Sequence, residues 1–163
     1  MDELVFQGLV AAGAGLFARE LEVPGRAQFP TAPDDWPDAL CRGTLNFRIS
    51  ELPKVLQARG WSDIKGLDRR GFSPVFEIPQ DKIVGNTLQP SASVPENGRA
   101  QVWRARLEAN SRSTTCWVLR RINSGYGRVL ELVSDERLRD TLDLATGTEW
   151  PAMLRMYGLW RTG

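Results

Sequence analysis

The chain has 163 residues, 42% hydrophobic and 25% charged, the balance of one soluble globular domain spanning 1–163. Its 21 Lys+Arg against 20 Asp+Glu exclude a strong overall field toward nucleic acid or anionic membrane. The absence of histidine and of a P-loop closes the commonest routes to a catalytic or nucleotide site.

Val5–Val10 reads as a first strand, followed by a permissive loop over Ala11–Gly15. Leu9–Ala18 is apolar but is preceded by Asp2 and Glu3 rather than by basic residues. It therefore does not read as a secretory signal, and it reads as too short to span a bilayer. The chain is read as cytoplasmic. Leu16–Val23 resumes an extended pattern, and Phe29–Pro37, with three prolines, is an irregular loop. Leu45–Ile49 alternates apolar and polar, the strand period. Ser50 is a candidate N-cap for a helix through Leu52, Val55 and Leu56, ended by Gly60.

Between Gly66 and Pro95 periodicity is weak, with short strand candidates at Val75–Ile78 and Lys82–Val84. Asn97-Gly98 is a hairpin-turn dipeptide. Gln101–Leu107, Thr114–Arg120 and Arg128–Val133 give the clearest strand signals. Ser134 can cap a short helix whose apolar side is Leu138, Leu142 and Leu144. Trp150–Trp160 is apolar with mixed period and is left unassigned. Many short strands and few helices predict a mostly-β barrel or sandwich. Cys41 and Cys116 form no framework or metal site and read as reduced, buried fillers.

Thr44 and Asn46 are the most informative residues. In an extended segment they point the same way, and both offer hard oxygen atoms of the kind Mg²⁺ accepts. A turn entering a strand is the plain alternative. Of the six tryptophans, Trp103 and Trp117 fall on strands and read as structural; Trp36, in the proline-rich loop, is the candidate ligand contact. Arg104, Arg106, Arg120 and Arg121 are a candidate basic stripe, against which the neutral net charge argues.

Three separated blocks resemble the archaeal CTP-dependent riboflavin kinases. The first is Gly8-Leu9-Val10-Ala11-Ala12-Gly13-Ala14-Gly15, similar to that family's strand and Gly-x-Gly loop. The second is Arg42-Gly43-Thr44-Leu45-Asn46-Phe47. The third is Val129–Val133 followed by Arg137–Leu144, similar to a Glu-bearing strand and a Leu-Arg-x-x-Leu-x-Leu run. The resemblance implies a small six-stranded cradle-loop β-barrel with a few short helices. It also implies transfer of the CTP γ-phosphate to the riboflavin 5′-hydroxyl to give FMN, with Mg²⁺ as cofactor.

Carried over residue by residue, the resemblance implies nucleotide contacts at Gly13, Ala14, Gly15, Leu16, Phe17 and Ala18, and at Glu136, Arg137, Leu138 and Arg139. It implies flavin contacts at Ser124 and Glu131, and metal ligation by Thr44 and Asn46. Phe17 and Ala18 stand where the family has a third glycine and an arginine, and Arg42 stands where it has proline. No general base is evident. These departures keep a second reading open, a non-catalytic nucleotide- or flavin-binding or protein-interaction module on the same barrel. The expected partners are small molecules, with no membrane, and the expected state is a monomer. A nucleic-acid-binding barrel is the third and weakest reading, against which the neutral charge argues.

Overall fold

The computed structural model describes residues 1–12, 32–38, 40, 45–79, 99–122, 124–145 and 149–161. Its strands are β1 (Asp2–Ala12), β2 (Leu45–Glu51), β3 (Phe72–Ser73), β4 (Phe76–Ile78), β5 (Ala100–Ala109), β6 (Arg112–Arg121), β7 (Val129–Val133) and β8 (Trp150–Trp160). Two short helices, α1 (Lys54–Ala58) and α2 (Leu138–Thr141), and a 3₁₀ turn at Leu67–Arg69 complete the described elements. The strands pair in the order β3-β8-β1-β2-β7-β6-β5-β4, and β8 also pairs with β5. That last pairing closes β8, β1, β2, β7, β6 and β5 into a six-stranded antiparallel barrel. Of the two architectures the strand pattern allows, the molecule is the barrel.

The edge of β5 is shared. Ala100–Val102 pair with β4, whereas Arg104–Ala109 pair with β8. β3 pairs with the last residues of β8, so the arm 72–78 fills the gap where β5 and β8 part. The backbone N–H of Val75 donates to the Val102 carbonyl at 2.8 Å within this arm.

Alternation along each strand builds the interior. Leu4, Phe6 and Val10 of β1, Trp103, Ala105 and Leu107 of β5, and Leu154 and Met156 of β8 meet in one core. Cys116 is buried there, and burial pushes its thiol up to about 12, so it stays a neutral filler; Cys41 lies outside the described residues. The end of the barrel where β1 finishes at Ala12 is here called the upper end; Leu138, Leu142 and Leu144 close it. Leu52, Leu56, Ile64, Leu67 and Phe72 close the lower end, with Trp61 and Trp160 packed against them. The β1–β2 register shifts between Gln7 and Gly8. A Cβ on Gly8 would lie 2.1 Å from the Arg48 carbonyl oxygen, so only glycine permits this approach.

Several elements differ from the sequence expectation. β1 runs to Ala12, because Ala11 and Ala12 find partners in Asn46 and Leu45. Ser50 belongs to β2, and the helix after it starts behind Pro53, whose missing N–H costs nothing at a helix start. Ser134 does not cap α2 directly; its Oγ accepts the Glu136 N–H at 3.0 Å in the turn before it. The unassigned C-terminal run is β8, a barrel strand on which Ala152, Leu154 and Met156 face inward. Apolar residues also occupy its outer face, which blurs the period of two. Leu16–Val23, Lys82–Val84 and Asn97-Gly98 lie outside the described residues.

A second core sits on the outside of the barrel wall. Trp36, 1% exposed, packs with Phe76, Ile78, Val102, Trp117, Leu119 and Val133. Its ring meets those of Phe76 and Trp117 edge-on, each at 4.9 Å. The candidate ligand contact is therefore a structural plug: a proline-rich loop can bury a tryptophan against an apolar sheet face. Asp35 beside it accepts from the Nε–H and an Nη2–H of Arg104, each at 2.7 Å, a forked pair that fixes the loop. Trp36→Ala should lower stability by about 3–5 kcal/mol while the far-ultraviolet circular dichroism of the barrel persists. Thermal and denaturant unfolding check this.

Candidate functional site on the barrel wall

Asn46 and Glu131 meet in the structure. Their strands β2 and β7 are antiparallel neighbours, and the two residues are direct partners in the register. Leu45, Phe47, Leu130 and Leu132 are buried in the barrel core. Strand alternation then sends Asn46 and Glu131 to the outer face, where both are half-buried. The expectation that Leu130 and Leu132 share the inner face holds. Directly opposed residues have Cβ atoms about 4.5–5.5 Å apart, so the amide and the carboxylate share one small patch.

The row through this pair crosses the whole wall. It runs Ala11, Asn46, Glu131, Leu119, Val102 and Phe76, from β1 to β4. Its apolar part, Leu119, Val102 and Phe76, lies in the second core under Trp36. Its polar part, Asn46 and Glu131, lies beyond that cover. Arg48, two residues after Asn46 on the same face, forms an ion pair with Glu149 just before β8. The patch thus offers an amide oxygen, a carboxylate and a guanidinium side by side.

The other expected residues distribute as follows. Thr44 and Gly13–Ala18 lie outside the described residues. Leu138 is buried in the core, so its side chain is a closing plug and not a ligand contact. Glu136 accepts the Thr141 hydroxyl at 3.2 Å, Arg137 lies 3.9 Å from Asp140, and Arg139 is half-buried. Ser124 sits in the loop entering β7 from the lower end; its Oγ accepts the Tyr126 N–H at 3.2 Å. That loop is tied down by Arg120, 4% exposed, which donates to the carbonyls of Tyr126 at 2.7 Å and Ile64 at 3.1 Å. A buried guanidinium is stable when carbonyls satisfy its N–H groups.

The candidate basic stripe is interrupted at Arg104 and Arg120. Arg104 and Arg106 share the outer face, but Arg104 is paired with Asp35, Arg106 donates to Ser113 at 2.7 Å, and Arg120 is buried. Arg155, between Glu3 and Glu108, adds carboxylates to the same wall. Sequence reading missed Arg48, although its spacing from Asn46 places it on the same face. Glu149 gave no signal, because only the pairing of β8 with β1 and of β1 with β2 brings it beside Arg48.

The hairpin tip between β5 and β6 supports the upper end. Asn110 and Ser111 have φ of 55° and 60°, the pattern of a type I′ turn. The Asn110 side-chain amide donates to the carbonyls of Leu142 at 3.2 Å and Asp143 at 3.0 Å, holding the segment after α2. Among the described residues no three Asp, Glu, Cys or His side chains gather into a metal-binding group, and no helix is long and apolar enough to cross a membrane. No protein-family model matches the chain, and no curated protein matches it in sequence. Asn110→Asp tolerates the positive φ but removes both donors. It should cost about 1–3 kcal/mol and speed amide exchange in 138–144 more than in the barrel strands, as hydrogen exchange measured by mass spectrometry will show.

Proposed function

We propose that the chain is a CTP-dependent riboflavin-kinase-like phosphotransferase, a cytoplasmic monomer that converts riboflavin and CTP to FMN and CDP. The observation that supports this reading is the pairing of Asn46 with Glu131 on the outer wall. One is the expected metal ligand and the other the expected flavin ligand, and nothing in the separate sequence blocks requires them to touch. A phosphate held at Asn46 and an alcohol anchored near Glu131 lie within reach of each other. Phosphoryl transfer asks mainly for such positioning and for charge neutralisation.

The donor set suits Mg²⁺. Asn46 offers an amide oxygen and Thr44 a hydroxyl, hard ligands that leave coordination places for water and phosphate. When bound, the ion would neutralise phosphate charge. Glu131 accepts a hydrogen bond from a polar group of the flavin and so orients the ribityl chain. In the reaction the bond from the γ-phosphorus to the bridging oxygen breaks, and the bond to the flavin 5′-oxygen forms. The hydroxyl proton is released, and CDP leaves.

The non-catalytic module on the same barrel is the second reading, motivated by Phe17 and Ala18 in the glycine loop. Calorimetry with CTP, ATP, riboflavin and FMN, each with and without Mg²⁺, followed by an assay for FMN, separates the two. CTP and flavin binding with no FMN formed favours the module. A protein that quenches no flavin fluorescence loses the riboflavin assignment.

Thr44→Val and Asn46→Val are each expected to abolish Mg²⁺-dependent CTP affinity and leave the unfolding transition nearly in place. Glu131→Gln keeps the shape and loses the charge. A charge-assisted hydrogen bond contributes about 1.5–3 kcal/mol, so flavin affinity should fall by about one to two decades while CTP affinity holds. Equal loss of both ligands in that variant would remove Glu131 from the flavin role.

A further inference from the structure

The lower end of the barrel carries a feature the proposed kinase site does not use. The guanidinium of Arg59 lies over the Trp160 ring at 3.8 Å, and that of Arg70 lies over the Trp61 ring at 4.4 Å. The two indoles meet edge-on at 6.2 Å, so the four side chains form one ladder, Arg59, Trp160, Trp61, Arg70. Both arginines are exposed, and neither engages a carboxylate among the described residues. The surroundings are basic. Between 54 and 70 the chain carries Lys54, Arg59, Lys65, Arg69 and Arg70 against Asp63 and Asp68, and Arg161 follows Trp160. The carboxylates of Glu51 at the end of β2 and of Asp2, which accepts the Trp160 N–H at 3.2 Å, lie at the same end and leave the balance positive. Tyr126, 62% exposed, stands in the neighbouring loop, where Gly127 packs on Asp63.

We infer that this end of the barrel binds single-stranded nucleic acid. A guanidinium stacked on an indole keeps its in-plane N–H groups for phosphate oxygens. Its outer face can still receive a nucleobase, as arginine planes do in single-strand recognition. Tyr126 supplies a further exposed ring. An anionic lipid surface fits less well, because the indole faces are covered by charged groups and insertion would carry those charges out of water. The charge is local to this end, since the wall carrying Arg104, Arg106 and Arg155 is balanced by Asp35, Glu3 and Glu108. That difference reconciles a near-neutral chain with a phosphate-binding surface. The inference does not depend on the kinase reading.

The test is fluorescence anisotropy of a labelled oligothymidylate of about twelve nucleotides, titrated with the whole chain at several salt concentrations. Wild type should bind at about 20 mM salt and weaken as salt rises. The double variant Arg59→Gln/Arg70→Gln should lose at least about ten-fold in affinity and lower the log–log salt slope by about 1.4, two contacts at about 0.7 each. Arg59→Lys/Arg70→Lys should keep the slope and still lose affinity, because the charge remains and the plane does not. Tyr126→Ala, at an exposed site, should lose about ten-fold, and it tests the surface even if the arginine variants unfold. CTP with Mg²⁺ should leave the oligonucleotide in place. No binding at about 20 mM salt, unchanged affinity in the double variant, displacement by CTP, or tighter binding to phosphatidylserine vesicles than to the oligonucleotide would each overturn the inference.

Discussion

Everything in this molecule depends on the closure of one sheet through β5. That strand gives the start of its edge to β4 and the rest to β8, so it completes the barrel and also anchors the arm that fills the remaining gap. Closure leaves the barrel strands no unpaired edge along these runs and fixes the face of every side chain. Once Leu130 and Leu132 are inside, Glu131 must be outside, and its partner Asn46 must be outside with it. The candidate site follows from the pleat rather than from a cavity in the barrel, whose interior is filled by Trp103, Phe6, Phe47 and their neighbours.

The outer wall is therefore divided between two tasks. One part is apolar and is sealed by Trp36, whose loop is fixed by the forked pair between Asp35 and Arg104. The adjoining part carries Asn46, Glu131 and the Arg48–Glu149 pair. A buried aromatic plug next to a polar patch gives that patch one rigid border, which is what a positioning site needs. The upper rim is stiffened separately, through Asn110 and the carbonyls of Leu142 and Asp143.

The two ends of the barrel differ in chemistry. The upper end is closed by leucines of the α2 segment, which includes the expected nucleotide contacts Glu136–Arg139. The lower end is closed by an apolar plug with indoles at its surface, each capped by a guanidinium. These arginines belong to a chain that carries only Lys54, Lys65 and Lys82 as lysines. Arginine suits this place because its planar group both covers an indole face and keeps its donors free, which an ammonium cannot do.

The strong local patterns were legible from the residues alone. Gln101–Leu107 and Thr114–Arg120 read as strands from their β-branched and aromatic content, although both faces are buried in part, the inner in the barrel and the outer under Trp36. Val129–Leu132 keeps the period of two, and all three runs match strands of the structure. The inward facing of Leu130 and Leu132 followed from the same period. β8 was not legible, because its outward Met153 and Tyr157 are themselves half-buried and break the contrast between faces. The helix start at Lys54 was misplaced because barrel pairing of Glu51 with Gln7 overrode the capping tendency of Ser50.

For the site, sequence determined which side chains carry hard oxygen ligands and which positions share a face within one strand. Only the tertiary structure decided which strands are neighbours. The opposition of Asn46 and Glu131, the reach of Glu149 to Arg48, and the burial of Trp36 all join residues far apart in the chain. Side-chain period is a property of each strand, whereas register and partner choice come from closing the whole barrel around one core, and no local pattern encodes that.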